Sequence, residues 1–161
     1  MEPALEKGHA ARLEIRRASP AELDAAYGIV AEYYQAVRVV ARESKARFAQ
    51  DYFAAAAGVW LAWMDGQIAG CIALRALHKA ETAEIKRMYV RPAWRGQGMA
   101  QKLLEEVERF ARKNGCQWIY LDTTDEMVAA AQLYRSNGYE LCERYNDNPQ
   151  ATIFMRKQLK S

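Results

Sequence analysis

Cysteine is scarce in this 161-residue chain, and the three that occur offer neither a disulfide motif nor a metal site. Cys71, Cys116 and Cys142 lie far apart and form no CxxC spacing, so we expect three reduced, mostly buried thiols. The chain also lacks an apolar run long enough to cross a membrane, and residues 1–12 contain no apolar signal segment. These absences predict a cytoplasmic protein with no metal and no membrane partner.

The chain also has no large excess of positive or negative charge. The chain has 23 Lys and Arg residues against 20 Asp and Glu residues, and both signs are mixed along it. Without a dense basic run or a basic tail, no nucleic-acid partner is expected, although a net charge of +3 permits an anionic ligand. The length suits a single domain over residues 1–161, and no linker or repeat divides it.

Local patterns predict a mixed α/β chain. Asp65-Gly66 between two apolar runs is a hairpin signal, and Pro92 stops the strand before it. The expected elements are a strand around Leu13 and Ile15, helices from Ser19 to Val37 and from Lys45 to Ala56, strands at Val59–Met64, Ile68–Leu74 and Glu84–Val90, a helix from Gly98 to Asn114, a strand at Trp118–Leu121, a short helix around Leu133, and strands at Tyr139–Tyr145 and Thr152–Arg156. This order favours one mixed sheet with helices on both faces.

The segment from Val90 to Ala100 carries the strongest chemical signal. It joins a strand to the N-terminus of the most amphipathic predicted helix, and it contains Gly96 and Gly98. The first amides of a helix have no intrahelical partner and lie at the positive end of its dipole, so they bind phosphate oxygens. Glycine lets such a ligand approach the backbone closely.

Two familiar phosphate-binding motifs fit this segment poorly. A P-loop needs a Lys followed by Ser or Thr, which is missing, so ATP and GTP are excluded. A dinucleotide fingerprint needs GxGxxG; Gly96 and Gly98 match, but position 101 is Gln. Because Asp122 follows the next predicted strand, NAD-dependent oxidoreduction stays open as an alternative.

A third pattern, RxxGxA, is met from Arg95 to Ala100. Together with the preceding strand at Glu84–Val90, it resembles the acetyl-CoA-binding core of the GNAT acetyltransferase superfamily. The later segment from Ala130 to Tyr139 resembles that superfamily's second motif, an Ala, then Leu-Tyr, then Gly and an aromatic residue. The resemblance covers about residues 58–157, with the motifs in the expected order and spacing.

The resemblance implies a GNAT-type sheet, mixed but mostly antiparallel, in which two neighbouring strands splay apart. In similar proteins the pantetheine arm of acetyl-CoA fills that gap, which places the backbone of Met88 and Val90 beside it. The resemblance assigns the pyrophosphate to the backbone amides of Arg95, Gly96, Gln97, Gly98, Met99 and Ala100. Acetyl-CoA is therefore the expected cosubstrate.

Two residues are candidates for catalysis, the first from the resemblance and the second from its place at the start of a predicted strand. Tyr134 occupies the position of the tyrosine that protonates the departing CoA thiolate; as an alternative, it is a core aromatic residue. Glu84 is the candidate acceptor for the amine proton, directly or through water, although a surface glutamate on a sheet rim would also account for it. A backbone N–H near Met88 is expected to stabilise the oxyanion.

One departure and two polar segments bear on the site. Many similar proteins have Asn seven residues before the tyrosine, where Met127 stands here, and the loss of one cofactor hydrogen bond costs on the order of 1 kcal/mol. Of Tyr33 and Tyr34, one is expected to line the acceptor pocket and one to be core. The loop at Asn146–Pro149 either contacts the acceptor or simply forms a turn.

The leading hypothesis is an N-acetyltransferase in which a primary amine attacks acetyl-CoA directly. Nothing selects the acceptor among small molecules and peptides. A non-catalytic CoA-binding regulatory domain is the alternative from another class. Similar proteins are often dimers, so a homodimer is compatible with the sequence, which does not decide the oligomeric state.

Overall fold

The computed structural model describes residues 12–159, which form a seven-stranded sheet with helices on both faces. The order of elements is the predicted one. The strands are β1 (Leu13–Arg17), β2 (Gly58–Met64), β3 (Gln67–Ala76), β4 (Thr82–Val90), β5 (Trp118–Thr123), β6 (Glu140–Leu141) and β7 (Ile153–Gln158). The helices are α1 (Leu23–Ala36), α2 (Lys45–Tyr52), α3 (Met99–Lys113) and α4 (Val128–Ser136).

The sheet has the order β1-β2-β3-β4-β5-β7-β6, and each neighbouring pair is antiparallel except β4 and β5. The prediction of a mixed, mostly antiparallel sheet is therefore confirmed. A doubly wound dinucleotide-binding fold has a mostly parallel sheet built from crossover units. The observed topology is different, which removes the basis for the NAD alternative.

Alternation along the strands divides the apolar residues into two cores. On β2, Val59 and Leu61 face α1 and α2, whereas Trp60 and Ala62 face α3. The apolar stripe of α3 lies against the sheet, and its Leu103 is completely buried. Burial of one such side chain contributes roughly 1.5–3 kcal/mol before entropy is subtracted. Helices on both faces are thus required to cover a sheet that is apolar on both sides.

Two neighbouring strands separate in the middle of the sheet. The parallel pairing of β4 with β5 ends at Ile85 and Leu121, but β4 continues to Val90. On its other side, β4 stays paired with β3 as far as Val90. The expected splay is confirmed, and it leaves one edge of β4 without a strand partner among the described residues.

The second helix ends at Tyr52, so the prediction that it continues to Ala56 is wrong. The guanidinium of Arg17 on β1 accounts for the difference, because it donates hydrogen bonds to three backbone carbonyls within residues 54–57. Those carbonyls turn towards β1 instead of along a helix axis. The chain then enters β2 at Gly58.

The predicted strand at Tyr139–Tyr145 is much shorter in the structure, where β6 covers Glu140–Leu141. Arg144 donates to backbone carbonyls of the following loop, and the Tyr145 side chain turns inwards to bond with Glu84 on β4. These contacts pull the backbone out of the sheet soon after Leu141.

The remaining local predictions concern thiols and membrane spans. All three cysteines are free, with Cys71 completely buried and the other two partly buried. Within residues 12–159, no helix has the length and apolar composition needed to cross a membrane.

Candidate active site

A cavity of about 890 Å³ opens where β4 and β5 separate. Its walls are formed by residues 36–41 after α1, residues 85–88 of β4, residues 122–127 after β5, and the loop at 147–152. Tyr134 of α4 also lines it. The sheet gap therefore provides a site of the size that small-molecule ligands occupy.

Beyond Val90, the end of β4, the chain passes through residues 92–94 into the glycine-containing loop before α3. Gly96 and Gly98 have φ of +76° and +79°, a region that residues with a Cβ rarely adopt. A Cβ at either glycine would meet no atom within 4 Å, so the space beside the loop is open. The first turn of α3 contains no acidic residue, and no side chain caps it. These features leave the helix N-terminus available to an anion.

The other residues of this loop contribute mainly backbone. Arg95 folds its guanidinium back onto the carbonyl of Val90 at 2.9 Å and over the ring of Tyr89. Met99 packs its side chain into the core, and Ala100 is half-buried. The backbone amides from Arg95 to Ala100 are thus the groups that this loop presents, together with the exposed Gln97.

The free edge of β4 presents amide donors to the gap. The Arg91 N–H donates to the carbonyl of Ala69 on β3 at 2.8 Å. Because successive N–H groups of a strand point in opposite directions, the N–H groups of Val90 and Met88 point away from β3 and into the gap. Both predicted residues therefore border the gap with their backbone.

A β-bulge lies in the same stretch of β4. Arg87 has φ of +56°, and the register against β3 shifts between Cys71 and Ala73, so two β4 residues oppose one. The Cys71 thiol donates to the carbonyl of Arg87 at 3.2 Å. Since the peptide is trans, the Met88 N–H points the opposite way, into the gap. No glycine or asparagine marks this position, and sequence analysis missed it.

The position of Tyr134 is compatible with both interpretations considered for it, a core aromatic residue and a proton donor. It is 5% exposed, packs edge-on against Tyr139, and also lines the cavity. Burial, with contributions from Tyr33 and Asp122, raises the pKa of Tyr134 above its ordinary value. The phenol is therefore protonated at neutral pH and faces the gap.

Glu84 is completely buried, so the reading of an exposed rim glutamate is wrong. One carboxylate oxygen accepts from Arg75 at 3.0 Å; the other accepts from Tyr145 at 2.5 Å and from Asn146 at 3.0 Å. The Lys86 ammonium lies 3.5 Å away. Glu84 does not line the cavity, and the side chains bonded to it separate its carboxylate from any ligand there.

Asp122 lines the cavity, as do Asp125, Glu126 and Asp147, and it is joined to Glu84 through a shared hydrogen-bond partner. It accepts from Lys86 at 2.9 Å and from Asn146 at 2.6 Å, and Asn148 lies 3.4 Å away. Burial raises the pKa of Asp122, but the Lys86 ammonium and the two amides outweigh burial, and the net shift is downwards. Sequence analysis considered Asp122 only as a ribose-binding residue, and nothing local in the sequence indicated its pairing with Lys86.

The two tyrosines of α1 divide as expected. Tyr33 lines the cavity, whereas Tyr34 is 1% exposed and donates a hydrogen bond to Glu43 at 2.6 Å. The acidic residues Glu32 and Asp51 do not line the cavity. They form ion pairs with arginines outside it or at its edge.

Met127 lies at the N-terminal boundary of α4 and lines the cavity. Its thioether is at most a weak hydrogen-bond acceptor, whereas an asparagine amide both donates and accepts. The contact that similar proteins make from this position is therefore missing here.

Comparison with known proteins agrees with this geometry. The Acetyltransferase (GNAT) family is matched by residues 23–139, which is most of the chain. The chain therefore belongs to the GNAT acetyltransferase family, and the resemblance drawn from its two motifs is confirmed.

Individual relatives are similar over part of their length. An uncharacterized N-acetyltransferase of Schizosaccharomyces pombe is 33% identical over 105 residues, 63% of this chain and 64% of that protein. N-acetylaspartate synthetase of Rattus norvegicus is 39% identical over 80 residues, 50% of this chain and 27% of that protein. The matched regions thus span less than two thirds of either relative.

Solved structures share the fold over nearly the whole chain. The PaiA N-acetyltransferase from Thermoplasma acidophilum, solved in complex with coenzyme A, matches 91% of this chain and 99% of its own. The TM-score is 0.70 and the sequence identity is 20%, so the likeness is one of fold.

Proposed function

We propose that this protein transfers the acetyl group of acetyl-CoA to a primary amine of a small molecule or peptide. One observation carries the proposal: the free edge of β4 presents two amides to the gap, and the same strand leads along the chain to the N-terminus of α3, which no side chain caps. Acetyl-CoA has a matching pair of features, a pyrophosphate and an amide-containing arm.

The proposed cofactor position follows from these donors. The pyrophosphate is held by the amides from Arg95 to Ala100, and the pantetheine arm runs beside Met88 and Val90, so that the thioester comes near the bulge. The open space beside Gly96 and Gly98 gives the phosphates room. With Met127 in place of asparagine, this arm has one hydrogen bond fewer, and the loss weakens cofactor binding by on the order of 1 kcal/mol.

In the proposed reaction, the acceptor nitrogen attacks the thioester carbonyl carbon and forms a C–N bond. The oxygen of the tetrahedral intermediate receives a hydrogen bond from the Met88 N–H, which already points into the gap. The C–S bond then breaks, and the leaving thiolate takes the phenol proton of Tyr134. No residue becomes acetylated in this scheme.

We propose that Glu84 accepts the amine proton indirectly, through water. Its buried carboxylate does not reach the cavity, but Lys86 and Asn146 each contact both Glu84 and Asp122. A water at the Asp122 wall is the proposed first acceptor of the proton.

One observation favours a second candidate, a CoA-binding domain without catalysis. Glu84 is buried and does not line the cavity. In this case acetyl-CoA would bind, but no amine would release free CoA. Tyr134 in the cavity wall favours the enzyme instead.

The test is calorimetric titration with acetyl-CoA, followed by a thiol-release screen over primary amines. Gly98→Leu should abolish binding, because its positive φ and the bulky side chain both disrupt the loop. Gly66→Leu is the matched control, since Gly66 has φ of +80° and equally open surroundings in the β2–β3 turn. Equal loss of binding in both variants, or no binding in the wild type, would refute the proposed site.

A further inference from the structure

Arg87 is a charged side chain in the cavity wall to which the acetyl-transfer scheme assigns no task. It lies at the bulge of β4, and its side chain is 17% exposed. Its Nη2 donates to Glu43 at 3.3 Å, and the guanidinium stacks over the ring of Tyr34 at 5.0 Å. These contacts hold the guanidinium in one orientation.

The Nε–H of Arg87 is buried and has no hydrogen-bond partner among residues 12–159. A buried donor on a charged group is costly to leave unpaired, and native structures usually satisfy such donors. A guanidinium matches a carboxylate in geometry as well as in charge. Burial lowers the pKa of Arg87, but nearby tyrosines and Glu43 outweigh burial and raise it, so the group stays cationic.

The position of Arg87 relates this donor to the reacting atoms. Arg87 is adjacent in sequence to Met88, whose N–H points to the proposed thioester position. Arg87, Asp122 and Tyr134 line the same cavity as Met88. An acceptor whose nitrogen attacks the thioester there would therefore have its substituents in the same cavity as the Arg87 guanidinium.

We propose that Arg87 binds a carboxylate of the acceptor, and that the acceptor is a free amino acid or a similar small amine with a carboxylate a few bonds from its nitrogen. This inference rests on the proposed acetyl transfer and specifies its substrate class. A peptide N-terminus has an amide at the same distance and offers no charge to the guanidinium.

The test compares free L-amino acids with their carboxamides as acceptors, by thiol release at saturating acetyl-CoA. The wild type should favour the free acids by at least about 10-fold in kcat/KM, the size expected for a charge-assisted hydrogen bond. The lower amine pKa of carboxamides works against this preference, so the comparison is conservative. Arg87→Gln should reduce kcat/KM for the acids by on the order of 10–100-fold, mainly through KM, and leave the carboxamides nearly unchanged.

Two further variants separate recognition from a structural role. Arg87→Lys keeps the charge without the Nε donor and should lose most of the preference. Glu43→Gln removes the competing carboxylate while keeping an oxygen for Tyr34, and should lower KM for the acids. Arg109→Gln, an exposed arginine paired with Glu106, is the control and should match the wild type.

Several results would overturn the inference and leave acetyl transfer standing. These are equal or better use of carboxamides, peptide N-termini or simple alkylamines by the wild type, or an equal loss for acids and carboxamides in Arg87→Gln. Acetyl-CoA titration of each variant checks that the cofactor site is intact. Absence of acetyl-CoA binding in the wild type, by contrast, refutes the proposed function itself and this inference with it.

Discussion

The Tyr145 hydroxyl donates a 2.5 Å hydrogen bond to the buried carboxylate of Glu84. The bond joins the loop after β6 to the strand that borders the cavity, across 61 positions of sequence. The same loop continues through Asn146 and Asn148, which bond to Asp122. The loop that forms one wall of the cavity is therefore hydrogen-bonded to the sheet through the buried Glu84 carboxylate.

Tyr145→Phe should destabilise the protein by about 1–3 kcal/mol, because it removes one donor from a buried charge without changing the packing. Urea unfolding monitored by fluorescence measures this free energy. Tyr120→Phe is the control, since the Tyr120 hydroxyl makes one exposed 3.4 Å contact with Arg156. Similar stability of the two variants would show that the Tyr145 bond adds nothing.

Glu84→Gln should lower kcat by roughly 100-fold, the usual contribution of a general base, while acetyl-CoA affinity stays the same. Steady-state rates and acetyl-CoA titration measure these two quantities. Asp122→Asn tests the cavity end of the relay and should show the same change.

Glu108→Gln is a matched control for those two variants. Glu108 is also buried and bonded to a lysine, Lys157, but it lies on α3 away from the cavity. A comparable fall in kcat for Glu108→Gln would assign the effects to lost stability rather than to proton transfer.

Tyr134→Phe should reduce kcat by roughly 100-fold or more through loss of the acid, with little change in KM for acetyl-CoA. The raised pKa of Tyr134 keeps the phenol protonated beyond the ordinary tyrosine value of about 10, so wild-type turnover should persist into alkaline buffer. Steady-state rates from pH 7 to about 11 measure this. Tyr139→Phe, its buried neighbour outside the cavity wall, is the control; unchanged turnover in Tyr134→Phe would exclude the acid role.

Local patterns in the sequence predicted the order of elements, the α3 stripe and the loop around Gly96 and Gly98. These features depend on the spacing of apolar residues and on the conformational freedom of glycine. Both can be recognised from neighbouring positions in the sequence. The ends of α2 and β6 were mispredicted, because Arg17 and Tyr145 redirect the backbone from distant positions. Contacts between such distant positions give no signal in the local sequence pattern.

The sequence by itself thus determined the fold class, the glycine-containing loop from Arg95 to Ala100 and the candidate acid Tyr134, since each rests on a contiguous motif. The tertiary structure alone decided that Glu84 is buried, that Asp122 faces the cavity, and that β4 carries a bulge at Arg87. The physical reason is that burial and charge pairing arise between strands, where residues far apart in sequence come within hydrogen-bonding distance.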